Sequence, residues 1–139
     1  MKTKLFDLSA RGCGYPIEDH PLIGTTEGKL NIHDVIKSGS RCFIVAATNA
    51  PKGIAGVRPR MVASRPEPIH AEKNIVCPFC RFEHDHTDFH EMEDEIECNF
   101  CGGKFEYERT LTVEHTTRPI TGPTIITTTI IDEKGKVLK

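Results

Sequence analysis

A β-rich α+β fold is what this sequence predicts, on three observations. Residues from Lys104 to Glu114 alternate between apolar and polar, Thr124 to Ile131 is β-branched throughout, and a single short stretch, 31–38, carries helical spacing with capping residues. The chain has 139 residues, 37% hydrophobic and 27% charged, with 6 Cys, 7 His, no Trp and a formal charge of −2. That size allows one domain, or one small domain with an appendage, around a modest core. No run of 18 apolar residues occurs, which excludes a membrane-spanning helix, and the terminus MKTKLFDLSARG lacks the apolar stretch of a signal peptide. The expectation is a cytoplasmic protein with reduced thiols, in which six cysteines point to metal before disulfides.

Along the chain, Asn31 precedes Ile32, Val35 and Ile36, with Asp34 in the first turn and Gly39 just beyond. This predicts a capped helix of about two turns over 31–38. Arg41 to Thr48 is largely apolar and bounded by Gly39 and Asn49-Ala-Pro-Lys-Gly53, the pattern of a buried strand. Lys52 to Arg65 holds four basic residues and no acid, and Pro59, Pro66 and Pro68 break up the region. It reads as loop or edge strand, with Arg65-Pro-Glu-Pro68 as a linker between a unit of residues 1–68 and a second of 69–139.

In the second half, Phe105, Tyr107, Leu111 and Val113 share one face of a long strand, interrupted by Arg109, while Lys104, Glu106, Glu108, Thr110, Thr112 and Glu114 face water. The β-branched run from Thr124 and the turn Asp132-Glu-Lys-Gly135 before Val137-Leu138 predict a terminal hairpin. So long a β-branched run is an edge hazard unless paired, either with the second-half sheet or with the first unit.

Cys77-Pro-Phe-Cys80 and Cys98-Asn-Phe-Cys101-Gly-Gly103 are two CxxC doublets separated by 17 residues. A CxxC turn presents two thiolates to one ion while its backbone amides point at the sulfurs, and two such turns complete a tetrahedral shell. The glycine after the second doublet permits the positive φ that a tight turn around a metal needs. One structural Zn²⁺ per chain on Cys77, Cys80, Cys98 and Cys101 is the reading, with an iron–sulfur cluster as the competing occupant. Four thiolates leave no open coordination position, so the ion's work is folding.

From Ile75 to Pro119 the order CPFC, CNFCGGKF and a long alternating strand ending in TTRP resembles the zinc-ribbon group. It is similar to small uncharacterised zinc-ribbon proteins of tailed bacteriophages. The resemblance implies two knuckles on adjacent β-hairpins, a structural zinc, and binding to protein or nucleic acid as the usual task. Residues 1–76 resemble no family.

Between the doublets, His84-Asp-His-Thr-Asp-Phe-His90 begins like an HxHxDH hydrolase motif, but Phe89 stands where the last histidine belongs and His90 comes one residue late. The expectation is a solvated hairpin tip, with a second metal on His84, His86 and His90 as the alternative. Cys13, flanked by glycines and followed by His20, lacks the orienting third group of a thiol enzyme, and Cys42 reads as a buried small hydrophobe. The chain is read as non-enzymatic.

Charge then divides the molecule. Residues 1–76 sum to +4 and residues 77–139 to −6, and Glu83 to Glu97 contains eight acids and no Lys or Arg. Glu91, Glu93, Asp94 and Glu95 form a tract suited to a basic protein surface, predicting a regulatory or adaptor protein that docks through its ribbon hairpin. The alternative is nucleic-acid binding through Lys52, Arg58, Arg60 and Arg65, although no aromatic residue lies among them to stack bases.

Overall fold

In a computed structural model the chain is nearly all sheet, 50% strand and 5% helical. The structure describes residues 2–9, 15–85, 93–109 and 114–138, and among them no helix reaches seven residues. The α+β expectation is therefore corrected to all-β. The described residues form twelve strands: β1 (Lys2–Asp7), β2 (Leu22–Glu27), β3 (Val35–Ser38), β4 (Arg41–Asn49), β5 (Ile54–Pro59), β6 (Ile69–Glu72), β7 (Ile75–Val76), β8 (Glu83–His84), β9 (Glu93–Glu97), β10 (Lys104–Arg109), β11 (His115–Thr121) and β12 (Ile125–Thr127). They make up two compact units, one of Met1–Met61 with Ile125–Lys139, the other of Val62–Thr124.

The expected helix over 31–38 is a turn followed by β3. Asp34 does not begin a helix: its carboxylate accepts the Asn31 backbone N–H at 2.8 Å, and its own N–H donates to the Asn31 carbonyl. Val35 and Ile36 are both fully buried while Ile32 is exposed, so the apolar spacing belongs to a short strand covered on both faces. Three apolar residues cannot separate the two periods, and β-branched Val35 and Ile36 favour the strand.

The first unit is a six-stranded sheet in the order β12-β3-β4-β5-β1-β2, antiparallel except where β1 meets β5 and β12 meets β3. β5, which reads from sequence as loop or edge, is central. Gly56 is what allows this: a Cβ there would lie 2.5 Å from a methyl carbon of Leu8. Pro59, lacking an amide donor, falls at the last position of the strand. Leu5, Leu30, Ile36, Phe43, Val45, Ala55, Val57 and Ile130 make the core of this unit.

The terminal segment fastens both edges of this sheet. Ile125–Thr127 runs parallel to Val35–Lys37 at one edge, and Ile131 bridges Thr25 of β2 at the other. The Thr128 amide donates to the Lys37 carbonyl, while its hydroxyl lies 3.1 Å from that of Thr26. Ser38 Oγ accepts the Ile130 N–H and donates to the Leu138 carbonyl. Gly24 leaves room for this return, since a Cβ there would stand 2.5 Å from the Ile131 carbonyl oxygen. The expected turn at Asp132–Gly135 is formed, and Ile131 pairs with Val137 across it.

The second unit has a four-stranded sheet, β6-β11-β10-β9, and the two-stranded β7-β8. β10 pairs with β11 from Lys104↔Thr121 to Arg109↔His115, so the chain has reversed by His115, and of the long strand expected to Glu114 the described part is β10, ending at Arg109. Thr110 to Val113 lie outside the described residues. Arg109, which broke the apolar pattern, donates from Nε to Nε2 of buried His115 at 3.0 Å, and His115 Nδ1 lies 3.2 Å from the Glu72 carbonyl.

Candidate metal centre

Two backbone turns of matching construction carry the four thiols. In the first, between β7 and β8, the Cys77 N–H donates to the Phe82 carbonyl and the Arg81 N–H to the Cys77 carbonyl. In the second, between β9 and β10, the Cys98 N–H donates to the Gly103 carbonyl and the Gly102 N–H to the Cys98 carbonyl. The residue after each doublet lies in the left-handed region, with φ of 66° at Arg81 and 77° at Gly102. Glycine adopts that conformation freely, as the sequence predicts for Gly102, whereas Arg81 does so against the usual preference of its side chain.

The turns bring all four sulfurs together in the interior. The Cys77 and Cys101 sulfurs are 3.8 Å apart, those of Cys80 and Cys98 are 3.7 Å apart, and all four lie within 4.8 Å of one another. Sulfurs at about 2.3 Å from a central ion stand about 3.8 Å apart along the edges of a tetrahedron, whereas a disulfide would need about 2.05 Å. The spacing is that of a metal shell. Backbone amides also point at the sulfurs, from Phe100 to Cys98 and from Gly103 to Cys101, each at 3.4 Å. Such donors stabilise thiolate charge and fix ligand orientation.

Electrostatics point the same way. Hydrogen bonding with Cys101, Cys80 and Cys98, together with burial, holds the Cys77 thiol above its ordinary range. Cys98 is held below it, by Cys101 first and then Cys77 and Cys80, with the His84 ring adding to the effect against burial. Four neighbouring sulfurs cannot all carry charge in so small a buried volume unless a cation shares it. The four buried cysteines are thus positioned to bind a metal ion.

No family model, curated protein or solved structure matches this chain. The likeness to zinc ribbons therefore rests on the two turns and their sulfurs.

Of the histidines between the doublets, His84 is described and is not at an exposed tip. It is buried on β8, paired with Ile75, its ring 4.9 Å from that of Phe82 and 6.0 Å from that of Phe105. Sequence reading placed it with the solvated tract; the missed signal is that it lies four residues beyond Cys80, on the strand leaving the first turn. His86, His90 and Glu91 lie outside the described residues, as does Cys13. Phe79, inside the first doublet, is buried, with its ring against Gly103 and Gly122.

The acidic residues sit on β9 and its neighbours. Glu93 begins β9 opposite Glu108, and exposed Glu95 faces Glu106 directly. Tyr107 and Phe105 of β10 are buried. Arg118 of β11 counters part of this charge, 2.8 Å from Glu108 and 3.7 Å from Glu106. An open groove lined by Asp94, Glu95, Glu106, Tyr107 and Arg118 lies here.

The basic residues fall on both units. Lys52 and Arg58 are exposed near opposite ends of β5, with Lys52 3.5 Å from Glu18, and Arg60 follows the strand. Arg65 belongs to the second unit. Cys42 is buried in β4 as expected. Among the described residues, no helix is long and apolar enough to cross a membrane.

Proposed function

We propose that this chain is a zinc-stabilised, non-enzymatic binding protein that docks on a basic surface of a partner protein through the acidic face of β9 and β10. The observation that carries the reading is the set of four buried sulfurs within 4.8 Å of one another. Zinc is the fitting occupant because a closed shell of four thiolates is its commonest structural environment, and when bound it supplies fold stability, with no open position for substrate or water. Free thiols and metal suit a reducing compartment, in keeping with a cytoplasmic protein. The resemblance to small phage zinc ribbons leads to the same expectation of an adaptor or regulator.

The support for docking is electrostatic. Directly opposed carboxylates such as Glu95 and Glu106 are unfavourable in a sheet, by about 0.2–1 kcal/mol per pair. A cationic partner relieves that repulsion, so the face gains from being covered. The nucleic-acid alternative draws less support, since Lys52, Arg58, Arg60 and Arg65 are spread over two units and Lys52 already faces Glu18.

The test is charge reversal of Glu95, Glu106 and Glu108 to Lys in metal-loaded protein, with partner capture from the native host measured after nuclease treatment at two salt concentrations. Capture lost on reversal, and weakened by salt in the parent chain, supports docking. Unchanged capture at low salt removes it, and capture abolished by nuclease favours the nucleic-acid reading.

A further inference from the structure

The metal turns lie in a segment that interrupts the first unit. The chain leaves that unit after Met61, builds the second unit through Thr124, and only then delivers the residues that fasten the curled sheet. The first unit therefore depends on a strand tethered to it through the metal-binding segment.

Phe79, inside the first metal turn, is where the two ends of that segment meet. Its carbonyl accepts the Ala63 N–H at 2.9 Å, which holds the entering chain between β5 and β6. Its ring lies against Gly122, just after β11 on the leaving chain: a Cβ at Gly122 would lie 3.5 Å from Phe79 Cε1 and 3.6 Å from the Ser64 carbonyl oxygen. The same ring presses on Gly103 of the second metal turn, where a Cβ would stand 2.7 Å from Phe79 Cδ2. Phe79 is buried, and Cys77 and Cys80 on either side of it belong to the four cysteines positioned to bind a metal ion. One residue thus links both metal turns to both ends of the segment.

We propose that metal binding at Cys77, Cys80, Cys98 and Cys101 controls closure of the first unit by holding Phe79 between Ala63 and Gly122. Coupling requires only the covalent chain. With metal bound, the terminal segment is joined to β5 through about five residues in all, those between Pro59 and Ala63 and between Gly122 and Ile125; with the turns released, the tether is about 60 residues. The probability of chain closure falls roughly as the 3/2 power of tether length, giving about a 40-fold weaker closure. By reciprocity, closure of the sheet strengthens metal retention by the same factor.

The inference rests on the four cysteines holding a metal ion, and amide exchange of the full-length chain tests it. The reporters are the hydrogen-bonded amides of Thr128, Ile130, Ile131 and Leu138. Chelation of zinc from the loaded protein is expected to raise their exchange about 40-fold while Phe43 and Val45 in the sheet stay protected. Phe79→Ala with metal content measured should raise the same amides at full zinc occupancy. A ten-residue Gly/Ser insertion between Thr124 and Ile125 leaves Phe79 and all four ligands in place; it should raise exchange about fivefold with zinc retained, and decides the matter if Phe79→Ala cannot hold metal. Zinc binding with identical terminal exchange in the loaded and chelated chains, or no effect of the insertion, overturns the inference. A chain that binds no metal at all fails the metal reading instead.

Discussion

The two units use the same backbone ladders and are held in different ways. The first buries Leu5, Ile36, Phe43, Val45, Val57 and Ile130 under one curled sheet, an apolar core of ordinary kind. The second packs Phe105 and Tyr107 on one side of a small sheet and devotes four of its most buried positions to cysteines. A small unit of this kind buries limited surface against its chain entropy, and a metal ion bound by the four cysteines would add a cross-link to it. The comparison teaches that one chain can pair a unit built around an apolar core with one whose deepest positions are arranged to bind a metal ion.

The sharpest way to break that contrast is Cys98→Ser. It should abolish metal binding and expose β9 and β10 to amide exchange, a loss on the order of 10 kcal/mol at the site. Phe43→Ala is its counterpart in the first unit: a cavity costing about 3–5 kcal/mol, read as a lowered midpoint in denaturant, with metal content unchanged. Both cost stability, but only the cysteine change moves the metal-to-protein ratio.

Sequence made the metal turns legible because their information is local: spacing, residue type and one glycine determine them. The strand Arg41–Asn49 was equally legible, being a continuous apolar run. The helix expected at 31–38 failed because Asp34 closes a turn on Asn31 with the residues that would cap a helix. β5 was misread because Gly56 and Pro59 look like loop residues, when Gly56 is small to admit Leu8. The pairing of Ile125–Thr127 with Val35–Lys37 joins residues some ninety positions apart, and no local pattern chooses between that partner and the second-unit sheet. His84 is buried by Phe82 and Phe105, the latter more than twenty residues away, so its charge-rich surroundings in sequence misled.

Gly24→Val sharpens the comparison further. Its side chain would strike the Ile131 carbonyl and Ile130 Cγ2, and the strain should cost about 1–3 kcal/mol in the first unit, measured by chemical denaturation, with metal still bound. The smallest effect has the opposite sign. Glu95→Gln removes a like-charge opposition with Glu106 and should stabilise the second unit by about 0.2–1 kcal/mol at low salt, the gain shrinking as salt screens it.

The most direct measurement is elemental analysis of the purified full-length chain, paired with amide exchange of Glu93–Arg109 before and after chelation. One zinc per chain, with protection of β9 and β10 lost when it is removed, is the predicted result. Metal-free protein in which those two strands remain protected would contradict it.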